Sequence, residues 1–535
     1  MKQLLCILFL IPSLSFSFSD PYPNLEAVDV KHYRFRVTLN DTTDIIEGVA
    51  DISFVVKKSI SEFELDLISK NSLGKGMQIK EVKLGGKETK FTHQNDRIKI
   101  LFTTQPVVGE TMIVSIRYSG VPQDGLIISK NKFGDRTFFA DNWPDRGRNW
   151  LPVVDHPADK AAVDFIVTAP LHYEVIANGV RIEESYLTKN QKLTHYKEET
   201  PISTKVMVVG VARFAIQQAA VINSIPVESW VYPQNREAGF NDYAVAGKIL
   251  DFFINHIGPY SYKKLANVQS KTTFGGLENA SAIFYFENSV TGKNEHETLI
   301  AHEIAHQWFG NSATEKEWHH LWLSEGFATY FAILYNEFTY GFAKRQEDMI
   351  KDRDEVVAFF GKNPMPIVNT SITNLMKLLN VNNYQKGSWV LHMLRQEIGD
   401  RNFWAGIREY YRQYQNGNAL SSDFQQVMET TSGKDLDQFF NQWLYKSGHP
   451  VLEVEWKYDE TGKNLLVTVN QVQKGTFFNF PLEIGIYAEN AVVPRIEKLY
   501  INRASQQLTV PVPSKPVKIG LDPNINLLFE GRLKN

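Results

Sequence analysis

The sequence predicts a multidomain α+β protein: an all-β region first, a mainly helical region next, and a small β-sandwich last. Three observations predict it. Apolar residues alternate before about residue 217, recur at helical spacing between about 218 and 449, and alternate again from 450 to 535. A chain of 535 residues has room for about two to four domains, and a 43% hydrophobic, 12% aromatic composition can supply their cores. The formal net charge of −3 with 22% charged residues gives no reason to expect a nucleic-acid partner.

The opening stretch "MKQLLCILFLIPSLSFSFSD" has Lys2, an apolar run from Leu4 to Ile11, and small residues at Ser17 and Ser19. This is the pattern of a cleavable secretory leader, expected over residues 1–19. The run is too short to span a bilayer, and no later run reaches the ~18 apolar residues of a transmembrane helix. Cys6, the single cysteine, lies inside the leader, so the mature chain is expected to have neither disulfides nor thiol chemistry. Export to the periplasm or beyond is the expectation.

From residue 20 to about 217 the pattern is β. In "HYRFRVTLN", Tyr33, Phe35, Val37 and Leu39 point one way, with His32, Arg34, Arg36 and Thr38 on the other side. "GVADISFVV", "TMIVSIRYSG" and "KVMVVGVARFAI" read as further strands. After about Ala219 the period lengthens: "DYAVAGKILDFFINHIGPY" spaces Val245, Ile249, Phe252, Phe253 and His256 as on a helix and stops at Gly258-Pro259. Helical patterns follow in "HETLIAHEIAHQWFG", "EGFATYFAILYNEF", "QKGSWVLHMLRQEIG" and "DFQQVMETTSG". Strands resume after Pro450, where "VLEVEWKY" and "NLLVTVNQV" flank a hairpin connection at Asp459-Glu460-Thr461-Gly462.

The stretch "LIAHEIAHQWFG" carries the chemistry. His302 and His306 are four apart, so a helix sets both imidazoles on one face toward a single ion, while Glu303 is placed to activate a water. Zinc suits two neutral imidazoles and needs a third protein ligand plus an open position. Eighteen residues separate His306 from Glu325 in "LWLSEGFATYF", a carboxylate in an apolar setting that is costly unless it meets a cation. Upstream, "FGGLENASAIFYFEN" puts Glu278 beside a Gly-Gly turn leading into a strand, where a backbone can approach an extended substrate. Tyr384 in "NNYQKGSWVLHMLR" offers a phenol donor for an oxyanion, although such a tyrosine alone is more often core packing.

These residues, taken together, resemble the M1 family of zinc metallo-aminopeptidases, the gluzincins. HEIAHQWFGN and WLSEGFA resemble that family's zinc motif, GGLEN its exopeptidase motif Gly-x-Met-Glu-Asn, and YQKG its tyrosine motif; "RNWLPVVDHPADKAAVDFIV" resembles its N-terminal β domain. The short spacing from Glu278 to Glu303 is similar to that of the leukotriene A4 hydrolase-like branch. The resemblance implies an N-terminal β-saddle, a thermolysin-like zinc peptidase domain and a C-terminal β-sandwich. It implies that His302, His306 and Glu325 bind one zinc ion, Glu303 is the general base and Tyr384 stabilises the oxyanion. Glu278 would take the free α-amino group of a peptide, with Gly275, Gly276 and Asn279 shaping the substrate edge. The substrates implied are peptides with a free N-terminus.

The chain departs from the family in four places. Leu277 replaces the motif methionine, and Trp143 stands where the N-domain usually supplies a second amine contact, with Asp141 and Asn142 beside it as the alternatives. His319 and His320 replace a common Asn-Asp and are expected to be structural. The sequence ends after the sandwich, so the large C-terminal helical domain of many relatives is expected to be absent and the cleft more open. Three other functions were weighed: an epoxide hydrolase, a thermolysin-type endopeptidase and a non-catalytic binding scaffold. The expected absence of the helical domain disfavours the first, the Glu278 motif the second and the complete catalytic set the third.

Overall fold

In the first region, alternation becomes strand pairing. The computed structural model describes residue 22 and residues 25–102, 104–489 and 491–534; the leader expected over 1–19 lies outside the described residues. An eight-stranded sheet is built around Val28–Thr38. That strand runs antiparallel to Ile46–Val56 and parallel to Lys160–Pro170, with Tyr33 facing Ile52 and Val163. Tyr33, Phe35, Val37 and Leu39 are buried, as their alternation predicts. Two smaller sheets, of four and three strands, complete the region.

"KVMVVGVARFAI" does not form one strand. It breaks into a 3₁₀ turn at Thr204–Val206 and the strands Val209–Ala212 and Ala215–Ile222. The break has a polar cause. Lys205 turns out of the sheet to meet the buried Glu315, and Asn178 takes over the loose backbone, accepting from Val208 N at 2.6 Å and donating to Val206 O at 2.9 Å. The strand Ala215–Ile222 then pairs with Ile225–Val231, which opens a five-stranded sheet containing Leu265–Gln269, Ala282–Tyr285 and the edge strand Gly276–Leu277.

The helices of eight residues or more in the middle region are α1 (Arg236–Tyr243), α2 (Ala246–His256), α3 (Glu297–Ala305), α4 (Trp322–Tyr340), α5 (Phe342–Phe360), α6 (Gly387–Ile398), α7 (Asp400–Tyr414) and α8 (Ser421–Ser432). α4 is the hub, packing on α3, α5 and α6. Its apolar stripe is wide, with Phe327, Ala328, Phe331 and Leu334 all buried. α4 and α5 meet at Gly341, whose φ of +90° suits glycine and permits the sharp corner between two long helices.

Strands return at Val451–Asp459, which pairs with Asn464–Gln471 across the expected hairpin. A four-stranded sheet containing both lies with the three-stranded sheet of Phe480–Tyr487, Arg495–Ile501 and Lys518–Leu521. The alternating faces of the two sheets are buried, including Val454, Val467 and Ile484, as in a β-sandwich. The architecture is multidomain α+β. Among the described residues no helix is long and apolar enough to cross a membrane.

Candidate active site

Three elements place the proposed metal ligands. α3 carries His302, its helical continuation holds His306 one turn later, and the first turn of α4 carries Glu325. The three ligand atoms form a nearly equilateral triangle. His302 Nε2 is 3.1 Å from His306 Nε2, and Glu325 Oε2 is 3.2 Å from His306 Nε2 and 3.4 Å from His302 Nε2. Tetrahedral ligands at zinc's usual ~2.0–2.1 Å lie ~3.3 Å apart, so the triangle has the edge length that ion requires. The Nδ1 of His306 faces Phe309 O at 3.1 Å and Ser324 Oγ at 3.1 Å, which turns the Nε2 lone pair toward the triangle's centre. Glu325 Oε2 is buried, and the groups that meet the Glu325 carboxylate are the two imidazole nitrogens and the Tyr384 hydroxyl. Two imidazole lone pairs and a carboxylate this close repel one another unless a cation lies between them. The donor set fits zinc.

A cavity of about 400 Å³ opens on this triangle and reaches Gly275, Gly276, Glu278, Glu303 and Tyr384. Glu303 is buried, and the edge strand presses on it: a Cβ added at Gly276 would lie 2.2 Å from Glu303 Oε1. Glycine at 276 is therefore a packing requirement, whereas a Cβ on Gly275 would meet nothing within 4 Å. Burial pushes the Glu303 carboxyl well above the ordinary range; Glu278 and Glu325 add to the shift and His306 opposes it. Tyr384 sits in a π-helical turn ahead of α6, its ring parallel to that of His302 with centroids 6.0 Å apart. Its hydroxyl stays protonated because burial and the carboxylates of Glu325 and Glu278 disfavour a phenolate.

Glu278 is held by its backbone and free at its side chain. Its carbonyl accepts from Gln307 Nε2 at 2.8 Å and Asn311 Nδ2 at 2.6 Å, both from the loop after the histidines. Its Oε1 is buried without a partner, and the residue lines the cavity. Such a carboxylate is suited to an ammonium group. Asn279 does not line the cavity; its buried amide lies behind the edge strand.

Neither alternative for the second amine contact survives. Asp141 is fully buried, pairs with Arg146 and accepts from Thr272 Oγ1 and Thr273 N, each at 3.2 Å. Asn142 donates to Thr204 O and Met207 O and accepts from Trp150 Nε1 at 2.9 Å. Trp143 is the residue that reaches the cavity, packed edge-on against Phe274 and Trp318. His319 and His320 are structural, bonded to Ile372 O at 3.0 Å and Ser421 Oγ at 2.7 Å. Sequence reasoning missed the wall contributed by α5, where Asp348 and Asp352 line the same cavity.

The Peptidase family M1 domain model matches residues 242–443, and the Peptidase M1 N-terminal domain model matches residues 29–206. The chain belongs to peptidase family M1. This M1 chain is similar to probable aminopeptidase 2 of Sulfurisphaera tokodaii, 28% identical over 71% of the chain and 50% of that relative. It is also similar to glutamyl aminopeptidase of Bitis rhinoceros, 28% identical over 70% and 42% respectively. Probable aminopeptidase 1 of S. tokodaii aligns over 92% of the chain at 25% identity, covering 62% of that relative. The M1 chain thus spans between two fifths and two thirds of the length of these curated relatives. Its fold matches the crystal structure of an M1 zinc metallopeptidase from Deinococcus radiodurans, with a TM-score of 0.68 and 20% identity over 79% of this chain and 96% of that one.

Proposed function

We propose that the chain is a zinc-dependent aminopeptidase that removes the N-terminal residue from peptides. The observation that carries this reading is the unpartnered, buried carboxylate of Glu278 in the same cavity as the His302–His306–Glu325 triangle. An ammonium is the natural occupant of the first, a divalent cation of the second. Held side by side, they register a peptide so that the bond after its first residue meets the metal. The aminopeptidase names of the relatives support the same reading.

His302, His306 and Glu325 would hold a zinc ion, which would supply Lewis acidity at the scissile carbonyl. Glu303, desolvated against Gly276, takes the proton of the attacking water and passes it to the leaving amine. Tyr384 donates its hydroxyl proton to the oxyanion in a site where water competes poorly. Glu278 holds the α-ammonium, and Trp143 with Phe274 walls the first residue's side chain. With Asp141 and Asn142 committed elsewhere, Glu278 grips the amine without their help. The proposal includes export, on the strength of the leader-like residues 1–19.

The test pairs a free and an N-acetylated fluorogenic amino-acid amide, each with and without a chelator. Cleavage of the free-amine substrate alone, abolished by the chelator, is expected. Equal cleavage of both would remove Glu278's role and indicate an endopeptidase or a general amidase.

A further inference from the structure

We propose that the α5 end of the active-site cavity, at Asp352 and Asp348, is a subsite for a cationic second residue, lysine or arginine, of the peptide substrate. The inference rests on the aminopeptidase reading and extends it to a preference on the far side of the scissile bond.

Contacts along α3 set the direction of the cavity. The edge strand passes Glu303 at Gly276 and reaches Gln307 and Asn311 at Glu278, so the amine end lies toward the C-terminal end of α3. The other end lies a turn before His302, where Thr298 and Leu299 line the cavity. There Asn336 of α4 donates to Thr298 Oγ1 at 3.2 Å and to Asp348 Oδ2 at 2.8 Å, tying α3, α4 and α5 together. On α4, Glu325, Thr329, Ala332 and Ile333 lie on one face, and Ile333 is ~12 Å along the axis from Glu325. A peptide with its ammonium on Glu278 and its first carbonyl at the triangle therefore sends its second residue toward α5.

The chemistry at that end is specific. Asp348 is fixed, with Oδ2 on Asn336 and Oδ1 on Lys344 Nζ at 2.8 Å. Asp352, one turn later on the same helix face, is only 9% exposed, and its Oδ2 has no hydrogen-bond partner. Burial, with Glu355 and Asp348 nearby, pushes its carboxyl up to about 8, and Lys351, exposed at the rim, and the neutral Ser388 hydroxyl offset this only in part. This carboxylate lacks a counterion. The walls leading to it are aliphatic, from Leu299, Ala332, Ile333 and Leu379. A side chain with an apolar stem and a cationic head matches both features, whereas a neutral side chain of equal length leaves Asp352 unpaired. A metal is the weaker match, because Asp348 and Asp352 do not form a converging ligand group with a third residue among those described.

The experiment compares kcat/KM for Leu-Lys and Leu-Arg amides with Leu-norleucine and Leu-Leu amides, beside a leucine fluorogenic amide that has no second residue. The wild-type enzyme should favour the cationic pair by ~10–100-fold, the worth of one charge-assisted hydrogen bond. D352N should bring that ratio close to one, and D348N should lower it less. Binding of Leu-Arg and Leu-norleucine amides to E303Q, followed by calorimetry, reads the same preference without turnover. Cleavage of the fluorogenic amide with no cationic preference in the wild-type enzyme overturns this inference and leaves the aminopeptidase reading intact. A preference for an acidic second residue overturns it too and points to Lys351. Failure to cleave any free-amine substrate, with no difference in binding, overturns both readings.

Discussion

Two buried polar assemblies flank the loop that follows His306, and they are built on opposite plans. On one side Lys160 of the N-terminal sheet donates to Asn311 O, Ser312 O, Thr314 Oγ1 and Gly417 O at 2.7–3.1 Å, and Lys205 pairs with Glu315. The ammonium of Lys160 thus has four oxygens within reach, although burial and Lys205 push its pKa down to about 7. On the other side, Glu278 and Glu325 line a cavity; Glu278 Oε1 is buried without a partner, and Glu325 Oε2 lies against the two histidine nitrogens, which point at the same space. The first assembly satisfies both of its cations within the chain, leaving only Glu315 Oε2 and Asn311 Oδ1 without a partner; the second is complete only with a metal and a substrate. Asn311 touches both, since its carbonyl receives Lys160 and its side-chain amide holds the Glu278 backbone. The satisfied network fixes the loop, and the loop aims the unsatisfied one. A buried polar atom without a partner costs free energy, so its persistence beside a cavity marks where a ligand completes the structure.

The largest expected effect comes from breaking the unsatisfied side. H306A should lose bound zinc and at least ~10³-fold in kcat/KM, because the several kcal/mol of Lewis-acid stabilisation go with the ion. Adding zinc to chelator-treated wild-type protein should raise its Tm, since the ion binds the folded triangle and not the unfolded chain, and H306A should show no such rise. Elemental analysis should give one zinc per wild-type chain. Zinc retained by H306A, or bound without any rise in wild-type Tm, would show that the triangle is not where the ion sits.

Breaking the satisfied side should act on stability instead. K205M strands the fully buried Glu315 without its cation, a loss of ~3–5 kcal/mol for a broken buried pair. The double variant K205M/E315L removes the stranded charge and should recover most of that loss in denaturant titrations. Activity per folded molecule should change less than in H306A, because neither residue lines the cavity. A double variant no more stable than K205M would mean that Lys205 and Glu315 do not act as a pair.

The same contrast explains which features could be read from the chain. His302 and His306 were legible because helical spacing is local, and Glu325 because a carboxylate amid Trp322, Leu323 and Phe327 needs a reason. Glu278 was legible from its motif. The five-stranded sheet was legible only in part: a strand was expected after the Gly-Gly turn, where Ala282–Tyr285 forms, but Leu265–Gln269 is short and buried on both faces, so it lacks alternation. Asp352 was hidden because "EDMIKDRDE" on α5 reads as a solvated helix face, and only the packing of α4 and α6 shows that one of its carboxylates points inward. Adjacency in sequence misled at Asp141 and Asn142, whose side chains serve Arg146 and Trp150 while Trp143 takes the cavity wall.

Asp159 sharpens the comparison from a third position. Its Oδ2 is buried and unpartnered, as in Glu278, yet it does not line the active-site cavity, and its other oxygen accepts from Val30 N at 3.2 Å. Burial, helped by Asp29 and opposed by the Val30 amide, Lys57 and Lys31, pushes its carboxyl up to about 7. An unpartnered carboxylate with no ligand to wait for should take a proton. Its folded pKa lies above the unfolded ~3.9, so the folded state binds more protons between the two. The contribution to stability is therefore full below about pH 4, falls as pH rises toward 7, and levels off above. Between pH 5 and 8 the wild-type protein should lose ~2–3 kcal/mol through this one group. D159N, which carries a neutral amide that can still accept from Val30, should match the wild type only below about pH 4, and its advantage should grow by that margin between pH 5 and pH 8 in parallel unfolding curves. Equal curves at both pH values would mean that water or a neighbouring cation satisfies Asp159, and that its unpartnered oxygen is no guide to the cost of one at Glu278.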